Sequence, residues 1–301
     1  MDDLNLRGLI TAIVVTYEPN LANLNRLLHS LDGQVEKIIL IDNHSRNNLE
    51  LAISKFFPRI HFIRLDKNEG IAKAQNIGIR LSKEFGAKYV AFFDQDSCPS
   101  SDMLLKLLDA IQFLQNNGIP VACVGPNLRD PRFNQKNSPS IDASNQIFEF
   151  KRIQTIISSG SLVPSHVFDL VGEMLDELFI DYVDLEWCWR AISFGLYPYI
   201  IENVVMDHNL GDQPYSFLKY YYPMRTPLRH YYMTRNAMYI YQKKWVPMKY
   251  KALDFIKLIR KIIFYSLFAR PRKEHIKMMV LGIYHGLIGK MGCFESGDYQ
   301  G

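Results

Sequence analysis

The sequence predicts an α/β fold, a mostly parallel sheet flanked by helices, with a helical extension at its C-terminal end. Three observations carry this reading. Short Ile- and Val-rich runs alternate with segments of helical period over the first hundred residues. Three of the first four runs end in a carboxylate, as expected where a ligand sits beyond the carboxyl ends of parallel strands. Beyond Tyr241, apolar residues recur at helical spacing among lysines and arginines.

In chain order, residues 9–15, 37–41, 60–65 and 89–93 read as strands, each bounded by polar or turn residues. Between the first two, residues 20–31 place Leu21, Leu24, Leu27, Leu28 and Leu31 on one helical face. Residues 71–85 read as a second helix, started after Gly70. Such alternation predicts a parallel sheet covered by helices. A further helix begins near Ser101. Residues 126–153 are rich in Asn, Ser and Pro and predict a long loop or hairpin over the cleft. A helix near 167–170 and a strand over 199–206 follow, and eight tyrosines fall between Tyr215 and Tyr241.

Composition excludes several classes. With 48% hydrophobic and 22% charged residues in 301, the chain can bury a large core, so disorder and coiled coil are set aside. A net charge of +4 does not argue for nucleic acid. Its distribution says more: from Tyr241 to Lys290 there are twelve Lys or Arg and two acids, Asp254 and Glu274, leaving a net negative body. That asymmetry suits a partner with a negative surface, such as anionic lipid or a diphosphate. Cys98, Cys123, Cys188 and Cys293 have neither zinc-knuckle nor secreted-disulfide spacing and read as reduced thiols. The acidic start at Asp2-Asp3 does not read as a signal peptide, and no apolar run is long enough to span a bilayer. No Gly-x-Gly-x-x-Gly or Walker lysine follows the first strand, which disfavours dehydrogenases and P-loop NTPases.

The acids are the candidate chemistry. Asp94 and Asp96 lie two apart at a strand end, so extended backbone points both to one side, a hard-oxygen site suited to Mg²⁺ or Mn²⁺. The alternative is an acidic turn capping the next helix. Asp184 and Glu186 sit among Phe179, Ile180, Tyr182, Val183, Leu185, Trp187 and Trp189. On a helix they diverge by about 200°, and apolar surroundings make a carboxyl a credible proton acceptor. For Glu186 the better reading is a pair with Arg190 at i, i+4. His208, after an apolar strand, is a candidate ligand only beside a metal.

These residues meet a known pattern. The succession Val14-Val15-Thr16-Tyr17, Ile41-Asp42-Asn43, the spaced Asn68, Gly70, Ala72, Ala74, Asn76 and Gly78, Phe93-Asp94-Gln95-Asp96-Ser97 and Gly160 resembles inverting glycosyltransferases of family 2, whose GT-A fold is Rossmann-like. The run from Phe179 to Ala191, Asp207-His208-Asn209-Leu210-Gly211 and the Pro227–Asn236 segment look like its bacterial rhamnosyltransferase branch. The likeness spans residues 9 to about 241 and implies a catalytic domain over 1–240, with 241–301 as a basic amphipathic helical region.

Carried over by position, the resemblance implies that Thr16, Tyr17, Glu18 and Asp42 hold the nucleotide base and ribose. Asn68, Gly70, Lys73 and Asn76 would line the nucleotide and diphosphate, with Asp94 and Gln95 on the donor. Asp96 and His208 match metal ligands, and Asp184 falls on the catalytic base. Many relatives carry Glu-Asp where this chain has Val183-Asp184, which leaves Glu186 to share acceptor orientation with Gly160 and Trp187. Arg229 and Arg235, beside His230, would bind phosphate or else form a solvated basic helix face.

Phe255, Leu258, Ile259, Ile262 and Ile263 alternate with Lys257, Arg260 and Lys261, and residues 276–291 continue the pattern. An in-plane helix at an anionic membrane fits this, as does packing on the catalytic domain or on a second copy of the chain. The expected activity is transfer of L-rhamnose from dTDP-rhamnose to a lipid-diphosphate-linked glycan of O-antigen or lipopolysaccharide, on the cytoplasmic face of the inner membrane. A UDP-hexose donor is the alternative, and a non-catalytic module that binds nucleotide sugar or membrane is the alternative of another class.

Overall fold

The computed structural model describes residues 9–53, 60–129, 149–207, 215–217, 220–222 and 225–295. Its centre is an eight-stranded sheet in the order β3-β2-β1-β4-β7-β5-β8-β6. These strands are β1 (Ile10–Thr16), β2 (Lys37–Asp42), β3 (Ile60–Arg64), β4 (Tyr89–Asp94), β5 (Val121–Arg129), β6 (Phe150–Arg152), β7 (Leu162–Pro164) and β8 (Tyr197–Asp207). Two short strands, β9 (Tyr215–Phe217) and β10 (Tyr220–Tyr222), form a separate hairpin. Strands β1 to β4 pair in parallel, as do β5 and β8, which bears out the mostly parallel sheet. The departures are the edge strand β6, antiparallel to β8, and β7, wedged antiparallel between β4 and β5. Each is three residues long, too short to leave a periodic signal.

Every side chain of β1 is buried, as a central strand covered on both faces requires. One face carries α1 (Leu21–Leu31) and α4 (Met103–Asn116), whose leucines pack with Val14, Leu40 and Phe93. Asn20 caps α1 by accepting from the Ala22 and Asn23 amides. The other face carries α3 (Gly70–Glu84), α5 (Ser165–Val171) and α6 (Val183–Ser193), against Ile13, Ile41 and Phe92. A short α2 (Leu49–Ile53), one turn and a half, had no legible period. The polar stretch from 126 is in part strand: Pro126–Arg129 extend β5, and 150–152 form the edge strand β6, while 130–148 lie outside the described residues.

Helices α7 (Pro227–Tyr241), α8 (Met248–Phe268) and α9 (Arg272–Ile288) complete the chain. Thr226 caps α7, with Pro227 at its first position. A Cβ at Gly282 or Gly286 would run into the α7 backbone, so α7 and α9 touch main chain to main chain. The basic face expected around Arg229 and Arg235 is not there. His230, Thr234, Arg235 and Asn236 are wholly buried, because α7 is sandwiched between the catalytic body and α9. Of the apolar residues of α8 only Leu258, Phe264 and Tyr265 are fully buried, while Phe255, Ile256, Ile259, Ile263, Leu267 and Phe268 are exposed. No helix among the described residues is long and apolar enough to cross a membrane.

Candidate active site

The parallel strands end on a cleft of about 660 Å³. Val15, Thr16 and Tyr17 close β1, Asn43 follows β2, and Asp94, Gln95 and Asp96 close β4. The Gln95 amide clamps the first and last of these together: its Oε1 accepts from the Tyr17 N–H at 2.8 Å and its Nε2 donates to the Tyr17 carbonyl. The N-terminal end of α3 contributes Asn68, Gly70, Ile71 and Gln75. Ile157, Ser158, the segment from Phe179 to Leu185 and Arg229 form the remaining wall.

That last segment is strained. Phe179, Asp181 and Tyr182 all have positive φ, between 62 and 66°. Side chains from α7 hold it in place: Asn236 Nδ2 donates to the carbonyls of Leu178, Ile180 and Asp181, and Arg235 donates to those of Glu177 and Leu178. Arg225 and Arg229 both bond the Asp181 carboxylate. The strain delivers Asp184 into the first turn of α6 and into the cleft.

Four carboxylates line this space, and of these Asp181 is paired with Arg225 and Arg229 while Asp94, Asp96 and Asp184 are not. Burial first, then repulsion from Asp96, pushes the Asp94 carboxyl up to about 6, with Arg229 opposing. Burial likewise pushes Asp184 up to about 6, although amide hydrogen bonds from Leu185 and Ser158 favour its charged form and Asp94 disfavours it. A carboxyl so placed takes up a proton near neutrality, as a general base must. Crowded, partly buried carboxylates at Asp94 and Asp96 are a donor set that fits a hard divalent cation. His208 lies outside the described residues.

Comparisons with known proteins agree on what this cleft belongs to. A family model described as "Glycosyl transferase family 2" matches residues 11–171. The dTDP-rhamnosyl transferase RfbF of Shigella flexneri is 36% identical over 97% of this chain and 98% of its own length. The chain belongs to glycosyl transferase family 2. A hexosyltransferase of low-salt glycan biosynthesis, Agl10 of Haloferax volcanii, is 22% identical over 97% of the chain and 93% of its own length. Among solved structures, residues 1–349 of S. aureus TarS in complex with UDP-GlcNAc align with a TM-score of 0.57 at 12% identity, over 92% of this chain and 81% of that one. GalNAc-T7 with UDP, GalNAc and Mn²⁺ aligns at 0.54 and 13% identity, over 89% of this chain and 58% of that one. The sheet flanked by helices is therefore the GT-A fold, and the chain is a hexosyltransferase.

Within this family 2 enzyme the residues singled out from sequence divide by position. Thr16, Tyr17, Asn68, Gly70, Asp94, Gln95, Asp96, Asp184 and Arg229 line the cleft. Asp42 and Glu18 are not among its lining residues. The buried Asp42 carboxylate takes the Ser45 amide and hydroxyl, and Glu18 accepts from the Arg46 amide, so both shape the loop after β2. Lys73 pairs with Glu69 at the surface. Asn76, on the buried side of α3, is bonded to both backbone groups of Met174 and to Asp176 and does not line the cleft.

Gly160 lies beneath β4, its N–H donating to the Phe92 carbonyl and its Cα facing Met206 and Pro126. Glu186 holds Arg190 bidentately and accepts from Trp245 Nε1 with no exposure at all. Trp187 donates to the Gly172 carbonyl in the core. Arg235 braces the strained segment and does not line the cleft. Motif position alone does not separate a residue facing the ligand from one that props up the residue that does. Gln75, Ser158, Asp181 and Tyr182 line the cleft and were not singled out. Only the strained backbone and the fold bring them there.

Proposed function

We propose that this glycosyltransferase moves L-rhamnose from dTDP-rhamnose onto a lipid-diphosphate-linked glycan in O-antigen or related surface polysaccharide synthesis, with inversion at the anomeric carbon. The observation that carries the donor is the near full-length similarity to a dTDP-rhamnosyl transferase. The mechanism rests on Asp184 facing Asp94 and Asp96 across one cleft.

Asp184 removes the proton from the attacking acceptor hydroxyl, since its raised carboxyl is poised to be deprotonated near neutral pH and to accept. Attack from one side and departure from the other invert the centre without a covalent enzyme intermediate. Asp96, with Asp94 beside it, would hold Mg²⁺ or Mn²⁺, and His208 is the further candidate ligand. A divalent cation held by these residues would supply positive charge to offset that on the departing diphosphate. Arg229, free at Nε and anchored by Asp181, supplies a fixed positive charge at the same end of the cleft. Tyr17, half exposed at the mouth, is placed to stack on the base.

Helices α8 and α9 support seating on an anionic membrane from the cytoplasmic side. Each exposes an apolar stripe, with Ile276, Val280, Tyr284 and Leu287 on α9, beside exposed Lys257, Lys273 and Lys277. The deciding experiment offers a panel of labelled nucleotide sugars with a synthetic lipid-diphosphate acceptor, with and without a chelator. Transfer from dTDP-rhamnose that stops with chelator and returns with Mg²⁺ or Mn²⁺ is expected. Preference for a UDP-hexose would overturn the donor, and transfer that continues under chelation would overturn the metal.

A further inference from the structure

The apolar, basic helix α8 carries one acid, Asp254, and this acid points inward. Its Oδ2 accepts from the Tyr182 hydroxyl at 2.8 Å and from the Tyr241 hydroxyl at 2.7 Å. Burial first, and then the Asp254 charge, push up the phenol of Tyr250, which packs on Trp189 of α6 with ring centroids 4.1 Å apart. Tyr182 belongs to the cleft wall, and Asp184 follows it by two residues.

The backbone of Tyr182 explains why this bond matters. It stands at the N-cap of α6 with φ 66° and ψ −1°, a left-handed conformation unfavourable for a bulky side chain. Its side chain makes no capping bond to the helix. Side chains from elsewhere must therefore hold the residue in that state. Asn236 secures the carbonyls up to Asp181, and the next tether along the chain is the Tyr182 phenol on Asp254.

We infer that Asp254 is a positioning residue for the reaction: through the Tyr182 phenol it fixes the left-handed turn that aims Asp184 into the cleft. The inference rests on Asp184 being the base. It places the aim of that base under the control of a helix whose outer face is the stripe offered to lipid, so one helix has a surface side and a catalytic side.

The test is a double-mutant cycle on the full chain, read as kcat, donor KM and donor Kd by calorimetry. Asp254→Ala and Tyr182→Phe should each lower kcat on the order of 10- to 100-fold while donor Kd stays near wild type, because a small misplacement of a base is costly in rate. The double variant should lose no more than the more damaging of the two singles. Asp254→Asn, which keeps an acceptor oxygen, should restore most of the rate. Tyr241→Phe, bonded to the same carboxylate oxygen from outside the cleft wall, should lower thermal stability and leave kcat alone. Unchanged kcat in Tyr182→Phe, or losses that multiply in the double variant, would overturn the inference. Should Asp254→Ala fail to fold, Tyr182→Phe and Asp254→Asn still decide it. Asp184→Asn serves as the separate control: if turnover survives it, the base assignment fails, whereas the cycle still reports whether Asp254 and Tyr182 act as one unit.

Discussion

The Phe179 carbonyl accepts the Ile71 N–H at 2.7 Å, directly over Gly70, and so joins the start of α3 to the strained wall that carries Asp184. Gly70 has φ +83°, and a Cβ there would stand 2.5 Å from that same carbonyl oxygen. The helix at one side of the cleft and the segment that carries Asp184 are thus in main-chain contact. A shift in one is felt by the other.

Gly70→Ala should accordingly do two things at once. Left-handed backbone and the clash with Phe179 destabilise the fold by about 1–3 kcal/mol. Pushing Phe179 away also disturbs the cleft. A thermal melt and a donor titration on the same preparation check this, and normal donor affinity in the variant would contradict the contact.

Asp184→Asn should abolish turnover while leaving donor binding intact. It should also stabilise the protein, and the sign follows from linkage. Burial raises the folded-state carboxyl to about 6 from its ordinary 3.8, so the folded chain binds the proton more tightly than the unfolded chain does. Stability on this account is greatest below about pH 4 and is lost as pH climbs through 6, by about 3 kcal/mol in full. The variant removes that cost, so its advantage in denaturant melts is largest at pH 8 and disappears near pH 4. In the wild type, kcat should fall on the acid side of about pH 6, where the base is protonated.

Glu186→Gln separates propping from catalysis. Breaking the buried pair leaves Arg190 without its carboxylate inside the protein, at a cost of about 3–5 kcal/mol. Folded variant should keep wild-type KM for the acceptor. A raised acceptor KM in material that melts normally would return Glu186 to the site.

Vesicle binding should depend on the outer stripe of α8. Replacing Ile259 and Ile263 by Glu puts two charges on exposed positions, so the fold is kept while lipid affinity drops. Co-sedimentation with vesicles containing phosphatidylglycerol, compared with neutral vesicles, measures it. Equal sedimentation of variant and wild type would argue against this face.

From the residues alone, the strand and helix order of the first hundred positions was legible, and so were the acids at the strand ends. Strands buried on both faces read as continuous runs of Ile and Val, amphipathic helices repeat at 3.6, and a carboxylate at a strand end marks a site where a partner is expected. Family membership followed from the order of the short motifs. What spacing cannot express is direction. Asp184 and Glu186 are two apart in one helical turn, and only packing decides that one enters the cleft while the other is spent on Arg190 and Trp245. Arg235 reads as a phosphate ligand until α9 covers it and its donors find the carbonyls of Glu177 and Leu178. Asp254 looks like a stray acid in a basic helix until two phenols distant in sequence converge on it. Local periodicity is written in neighbouring residues. The partner that a polar group meets once water is excluded belongs to contacts that exist only after the chain has closed on itself.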